Sequence, residues 1–127
     1  RTRRIRKMVG GGMRQAGVIA AAGIVALERM VDRLAEDHEN ARILADGIAS
    51  IPGLATNPEL VQTNIVYLDL LDPGFNDDEF KRQLGACGVK LSHTGPARFR
   101  MVTHYGIGRD DIDRALAALR RTMQKTN

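Results

Sequence analysis

With a single cysteine, Cys87, the chain cannot close an internal disulfide and offers no CxxC spacing for a metal or redox site. A reducing, cytoplasmic compartment is the expectation that follows. No run of eighteen apolar residues occurs, so no helical membrane span is expected. Histidines are few and scattered: His38, His93 and His104 lack metal-ligand spacing, which argues against a zinc site. The sequence opens on Arg1 with neither an initiator methionine nor the apolar core of a signal peptide, and is therefore expected to be a piece of something longer. Internal repeats and low-complexity tracts are absent.

What is present is a composition of the soluble globular kind: 127 residues, 43% hydrophobic and 27% charged, with 13 glycines. A chain of that length buries roughly two-thirds of its unfolded surface, enough for a core without disulfides. The net charge of +4 is an end effect. Arg1, Arg3, Arg4, Arg6 and Lys7 contain no acid among them, and residues 8–127 carry fourteen basic against fifteen acidic groups, a net −1. A basic isoelectric point of this origin is weak support for nucleic-acid binding.

Residues 1–9 have helix-compatible composition and run into Gly10-Gly11-Gly12, a backbone break. From Met13 to about Ile24 the residues are small and apolar, which predicts a closely packed, buried helix. From Leu27 the pattern Leu27, Met30, Val31, Leu34, Ala41, Leu44, Ile48 has the spacing of an amphipathic helix, ended by Ile51-Pro52-Gly53 and followed by a linker up to Glu59. Thr63–Leu70 reads as a strand closed by Asp72-Pro73-Gly74. Asn76 or Asp77 caps a helix from about Asp78 to Leu84, with Gly88 as its stop. Val89–Ser92 and Arg98–Thr103 read as two further strands joined at Gly95-Pro96. A last helix starts at Gly108–Asp111, buries Ile112, Ala115, Leu116 and Leu119, and ends on Arg120, Arg121 and Lys125, a basic turn that suits the helix dipole. The expected fold class is α/β: long helices followed by a small α/β sandwich with a three-stranded, mostly antiparallel sheet.

Chemistry-bearing residues are harder to assign from pattern alone. The glycine run lacks the Gly-Lys-Ser/Thr ending of a phosphate loop, and Gln15 stands where a dinucleotide fingerprint needs its last glycine. A glycine-rich turn entering a helix still presents free N–H groups, and Arg14 adds a planar cationic fork, so an anion site and a plain helix–helix turn both remain open, the plain turn being the commoner. His38, among Glu36, Asp37 and Glu39, reads as a solvated helix residue. His104 ends a strand and is more simply structural than catalytic. Ser92 and His93 are adjacent on a strand and point to opposite faces, so they form no nucleophile–base couple. Arg98 and Arg100 share one sheet face, where they either meet solvent, the default for strand arginines, or hold an anion.

Longer stretches are more specific. Arg6–Gly17, with its Gly-Gly-Gly-Met-Arg-Gln core, closely resembles the segment that follows the cofactor lysine in low-specificity L-threonine aldolases, pyridoxal-phosphate enzymes of the aspartate-aminotransferase fold (fold type I). Arg33–Ala41, Val61–Val66 and Arg100–Tyr105 agree with the same family in order and spacing, and the likeness covers essentially the whole chain. It implies the C-terminal part of such an enzyme, with residues 1–26 the end of the large cofactor-binding domain and an interface helix, and residues 27–127 the small domain with its connecting helix.

The family's reaction is a lyase one: cleavage of L-threonine or L-allo-threonine to glycine and acetaldehyde, with pyridoxal 5′-phosphate as electron sink. By resemblance Arg100 grips the substrate carboxylate, with Arg98 as its neighbour, Arg14 reaches the cofactor phosphate from an adjacent subunit, and Lys7 lies near that shared site. A homo-oligomer, dimer or tetramer, or a complementary N-terminal portion is implied as partner, with no nucleic acid, membrane or metal. Lys7, Lys81, Lys90 and Lys125 stand outside the family's lysine motif, so the Schiff-base lysine is expected upstream and the chain alone is expected to be inactive. The alternative reading is a small α/β binding or assembly module for an anionic ligand or nucleic acid.

Overall fold

The computed structural model describes residues 1–72 and 75–124. The turn expected at Pro73-Gly74 and the basic end at Lys125 lie outside the described residues. The chain forms two compact units, residues 1–34 and 35–127.

In the first unit α1 (Thr2–Met8) ends in a double reverse bond: Gly11 N–H donates to the Arg6 carbonyl at 2.7 Å and Gly10 N–H to that of Lys7 at 3.3 Å. This is the Schellman arrangement, and it needs the left-handed backbone that Gly10 adopts at φ +82°. A Cβ on Gly11 would fall 2.7 Å from Arg6 Cγ and 3.0 Å from its carbonyl oxygen. The first two glycines are thus accounted for by helix termination. Beyond the turn, α2 spans Gly17–Val25 and continues into a π-helical turn, Ala26–Met30.

Burial of the small-residue helix, expected from its composition, is not found: no residue of 1–34 is buried, and Val18 is 80% exposed. Residues of one short helix offer one another no opposing surface, so apolar composition cannot produce a core there. The long amphipathic helix also begins later than expected. The chain turns at Val31–Arg33, and α3 is Leu34–Ala49. Leu27, Val31 and Leu34 are exposed, whereas Ala41, Leu44 and Ile48 are buried. The period was right, but a turn breaks the face in two.

The second unit holds a four-stranded sheet in the order β1-β2-β4-β3, with β1 Leu54–Ala55, β2 Ile65–Leu70, β3 Ser92–Gly95 and β4 Arg98–Val102. Every pairing is antiparallel. The sheet therefore has one strand more than expected. The addition is β1, two residues inside the expected linker, where Leu54 pairs with Leu70 and is 5% exposed. So short a strand has no periodicity to read. β3 also starts at Ser92, where the sequence suggested an end; Val89 and Leu91 instead pack at the margin of the core as part of the connection from α4 (Asp77–Ala86).

Alternation explains the layering. Val66, Leu68, Leu70, Phe99 and Met101 face one side and join Ala41, Leu44 and Ile48 of α3, Phe80 and Leu84 of α4, and Ile112, Leu116 and Leu119 of α5 (Arg109–Gln124) in one core. Phe80 and Phe99 meet at 5.2 Å between ring centroids. Gly47 lets α3 approach α5, since a Cβ there would lie 2.5 Å from both Leu116 methyls. Asn76 caps α4 as expected, its Oδ1 accepting from Asp78 N–H at 2.8 Å.

Candidate functional site

The opposite face of the sheet is open. Along β4 the burial alternates so that Arg98, Arg100 and Val102 lie on this face, with Ile65, Tyr67 and Asp69 of β2 beside them. Strand register puts Asp69 opposite Arg98 and Tyr67 opposite Arg100, while Ser92 flanks Arg100 from β3.

The two arginines differ in what already holds them. Arg98 Nε is 3.7 Å from Asp69 Oδ1 and its guanidinium carbon stands 5.2 Å from the centre of the Tyr67 ring, an ion pair and a cation–π contact. Arg98 also borders a surface groove of about 410 Å³ that includes Tyr67, Ile65 and Thr56. Arg100 is half-buried, and its Nε is the one buried side-chain nitrogen or oxygen among the described residues without a hydrogen-bond partner. A buried N–H of a permanently charged group without an acceptor costs stability, so Arg100 is the better candidate for an anion.

Immediately after β4 the strand end is fastened to α3. Thr103, 1% exposed, donates its hydroxyl to the Asp37 carbonyl at 2.6 Å. Its backbone N–H donates to the Asn64 carbonyl at 3.0 Å, and Asn64 Nδ2 donates back to the Thr103 carbonyl at 2.7 Å. Further on, Asn40 Nδ2 donates to the Ile107 carbonyl at 3.1 Å. Asn64 and Thr103 were singled out in the sequence only as parts of family words. The signal available was a polar residue at the core-facing parity of a strand, since Thr103 continues the alternation of Phe99 and Met101.

Of the other candidates, two lie in the first unit. Lys7 ends α1 and Arg14 lies in the turn before α2, both exposed and both in the first unit. His38 is exposed on α3. His104 is exposed, its Nδ1 2.8 Å from the Tyr105 carbonyl. His93 Nε2 lies 2.9 Å from Asp77 Oδ2, and its ring lies 5.3 Å from that of Phe99, a fastening of the β3–β4 hairpin to α4. Asp77 Oδ2 also accepts from Ala97 N–H at 3.0 Å. Cys87 Sγ accepts from Arg121 at 2.6 Å. Among the described residues no group of three His, Cys, Asp or Glu side chains could hold a metal, and no helix is long and apolar enough to cross a membrane. The displaced carboxylate pKa values lie elsewhere: hydrogen bonds from Arg82 and Gln83 lower Glu79 from 4.5 to about 2, and the Gly108 N–H, with Arg114, lowers Asp111.

An α/β unit with three helices on one sheet face and an unsatisfied arginine on the other is consistent with part of a fold type I pyridoxal-phosphate enzyme. Residues 1–71 match the family model of the beta-eliminating lyases, and the chain belongs to that family. It is also 39% identical over 122 residues, 95% of its length, to an Arabidopsis thaliana protein named "Probable low-specificity L-threonine aldolase 2". Identity is 33% over 120 residues to "Low-specificity L-threonine aldolase 1" of the same plant, and 36% over 109 residues, 86% of the chain, to "Low specificity L-threonine aldolase" of Escherichia coli K12. The chain spans about a third of the length of these relatives: 34%, 34% and 31%.

Proposed function

We propose that this chain is the C-terminal portion of a threonine aldolase, a carbon–carbon lyase that cleaves L-threonine or L-allo-threonine to glycine and acetaldehyde and works as a homo-oligomer in the cytoplasm. The names of its relatives support the class, and the unpartnered Arg100 Nε carries the reading for this chain's own residues. A substrate α-carboxylate is a planar anion that a guanidinium binds through two parallel N–H bonds. Held so by Arg100, the amino acid is fixed in rotation about Cα, which selects the bond that breaks. Arg98, already engaged by Asp69 and Tyr67, steadies the face without taking the carboxylate.

The donor set also fits the phosphate end of pyridoxal 5′-phosphate. Arg14 is exposed and precedes α2, whose N-terminus has no side-chain cap. Arg14 is assigned to the cofactor phosphate of an adjacent subunit, with Lys7 nearby. When bound, the cofactor supplies the electron sink for the carbanion left by cleavage. None of Lys7, Lys81 or Lys90 is assigned the Schiff-base role, and the chain by itself is expected to be inactive.

The test is Arg100→Ala in the cofactor-loaded enzyme containing this chain. Loss of a paired charged hydrogen bond costs about 3 kcal/mol, so kcat/KM for L-threonine should fall about a hundredfold. An unchanged kcat/KM would refute the assignment.

A further inference from the structure

We propose that Thr103 is a positioning residue for Arg100, acting through the hydrogen bonds that fasten the end of β4 to α3 and to the start of β2. This rests on the reading of Arg100 as the ligand of the substrate carboxylate. Arg100 and Thr103 are three residues apart on one extended segment, about 10 Å of nearly rigid backbone. Arg100 points to the open face and Thr103 to the helices, so whatever fixes Thr103 relative to α3 also fixes the origin of the arginine side chain.

Most of what joins the sheet to α3 is apolar packing, which is dense but non-directional. The Thr103 hydroxyl adds direction. It reaches the Asp37 carbonyl at 2.6 Å and also lies 3.4 Å from the Asn64 carbonyl. Asn64 then brackets the same residue, its carbonyl accepting from the Thr103 N–H at 3.0 Å and its Nδ2 donating to the Thr103 carbonyl at 2.7 Å. One residue thereby ties three elements together: β4, the entry to β2, and the first turn of α3. A strand stripped of this tie keeps its neighbours β2 and β3 but can shift with them along the helix layer. Displacements of the order of 1 Å at a binding group cost up to about a hundredfold in rate. A fork that needs two bonds at once is especially sensitive to such a shift.

Thr103→Val keeps the shape and removes the hydroxyl. In the cofactor-loaded enzyme it should raise KM for L-threonine about tenfold and weaken glycine binding, followed by calorimetric titration, to a similar degree, with any fall in kcat smaller than the rise in KM. Thr103→Ser, which keeps the donor, should restore both. Asn64→Ala removes the opposing bond and should give the same KM-dominated split, which keeps the test usable if the valine variant folds poorly. Asn40→Ala breaks another bond between α3 and this segment, seven residues beyond Arg100. It should lower Tm while leaving KM unchanged.

A fall in Tm for Thr103→Val with KM and glycine affinity unchanged would overturn the proposal, as would an equal rise in KM for Asn40→Ala. If Arg100→Lys leaves KM and glycine affinity unchanged, the carboxylate reading fails and takes this proposal with it. A large Arg100→Lys effect beside an inert Thr103→Val overturns the positioning role alone.

Discussion

Replacing Phe99 by alanine removes the side chain on which both layers of the second unit converge. Phe99 is fully buried in β4, 5.2 Å from the Phe80 ring of α4 and 5.3 Å from that of His93 in β3. Truncating a buried phenylalanine costs about 3–5 kcal/mol through lost transfer energy and the cavity left behind. Loss of the aromatic pair with Phe80 places the effect toward the upper part of that range, since such pairs add about 0.5–1.5 kcal/mol. Domains of this size have total stabilities of about 5–15 kcal/mol, so a large fraction is removed. Phe99→Leu, which keeps most of the volume, should cost about 1–2 kcal/mol. Urea denaturation followed by far-ultraviolet circular dichroism reads both values from the midpoint and slope. A Phe99→Ala cost below about 1 kcal/mol, the level of an ordinary surface change, would refute the placement of this ring at the centre of the core.

Two further perturbations test local structure. Asn76→Ala removes the cap on Asp78 N–H and should destabilise the protein by about 1 kcal/mol, while Asn76→Ser should recover most of it; equal losses in both would show that the cap is not the cause. Asp111 accepts from Gly108 N–H at 2.9 Å and pairs with Arg114, which lowers its pKa below the ordinary 3.8. Its contribution to stability is therefore present above pH 3.8 and lost as the pH falls through the lower folded-state value. The Tm difference between wild type and Asp111→Asn should be open at pH 7 and close below about pH 4; a difference independent of pH would contradict this.

Periodicity made much of the second unit legible before its structure. Leu44, Ile48, Ile112, Leu116 and Leu119 have helical spacing and do form the core, and the alternation of β4 correctly set Arg98 and Arg100 on one face. The misses arose where pattern carries no information about partners. Leu27, Val31 and Leu34 share the spacing of their successors but are exposed, Leu27 before the turn at Val31–Arg33 and Leu34 at the first position of α3. β1 is created by a two-residue pairing with a segment some fifteen residues away, which no local signal encodes. The α2 residues have the composition of a buried helix and none of the burial.

The candidate site divides in the same way. The sequence alone determined the α/β class, the resemblance to the threonine aldolases and the placing of Arg98 and Arg100 on one sheet face, because family words and strand parity are local properties. The resemblance names Arg100 with Arg98 as its neighbour; only the tertiary structure supplies a physical difference between the two side chains. Asp69 and Tyr67, about thirty residues earlier in the chain, are brought across the strand register to occupy Arg98 and leave the buried Nε of Arg100 without an acceptor. It likewise brought Asp37, Asn64 and Thr103 to one buried point. A residue's availability for a ligand depends on which neighbours have already satisfied it, and those neighbours are set by packing between distant segments of the chain.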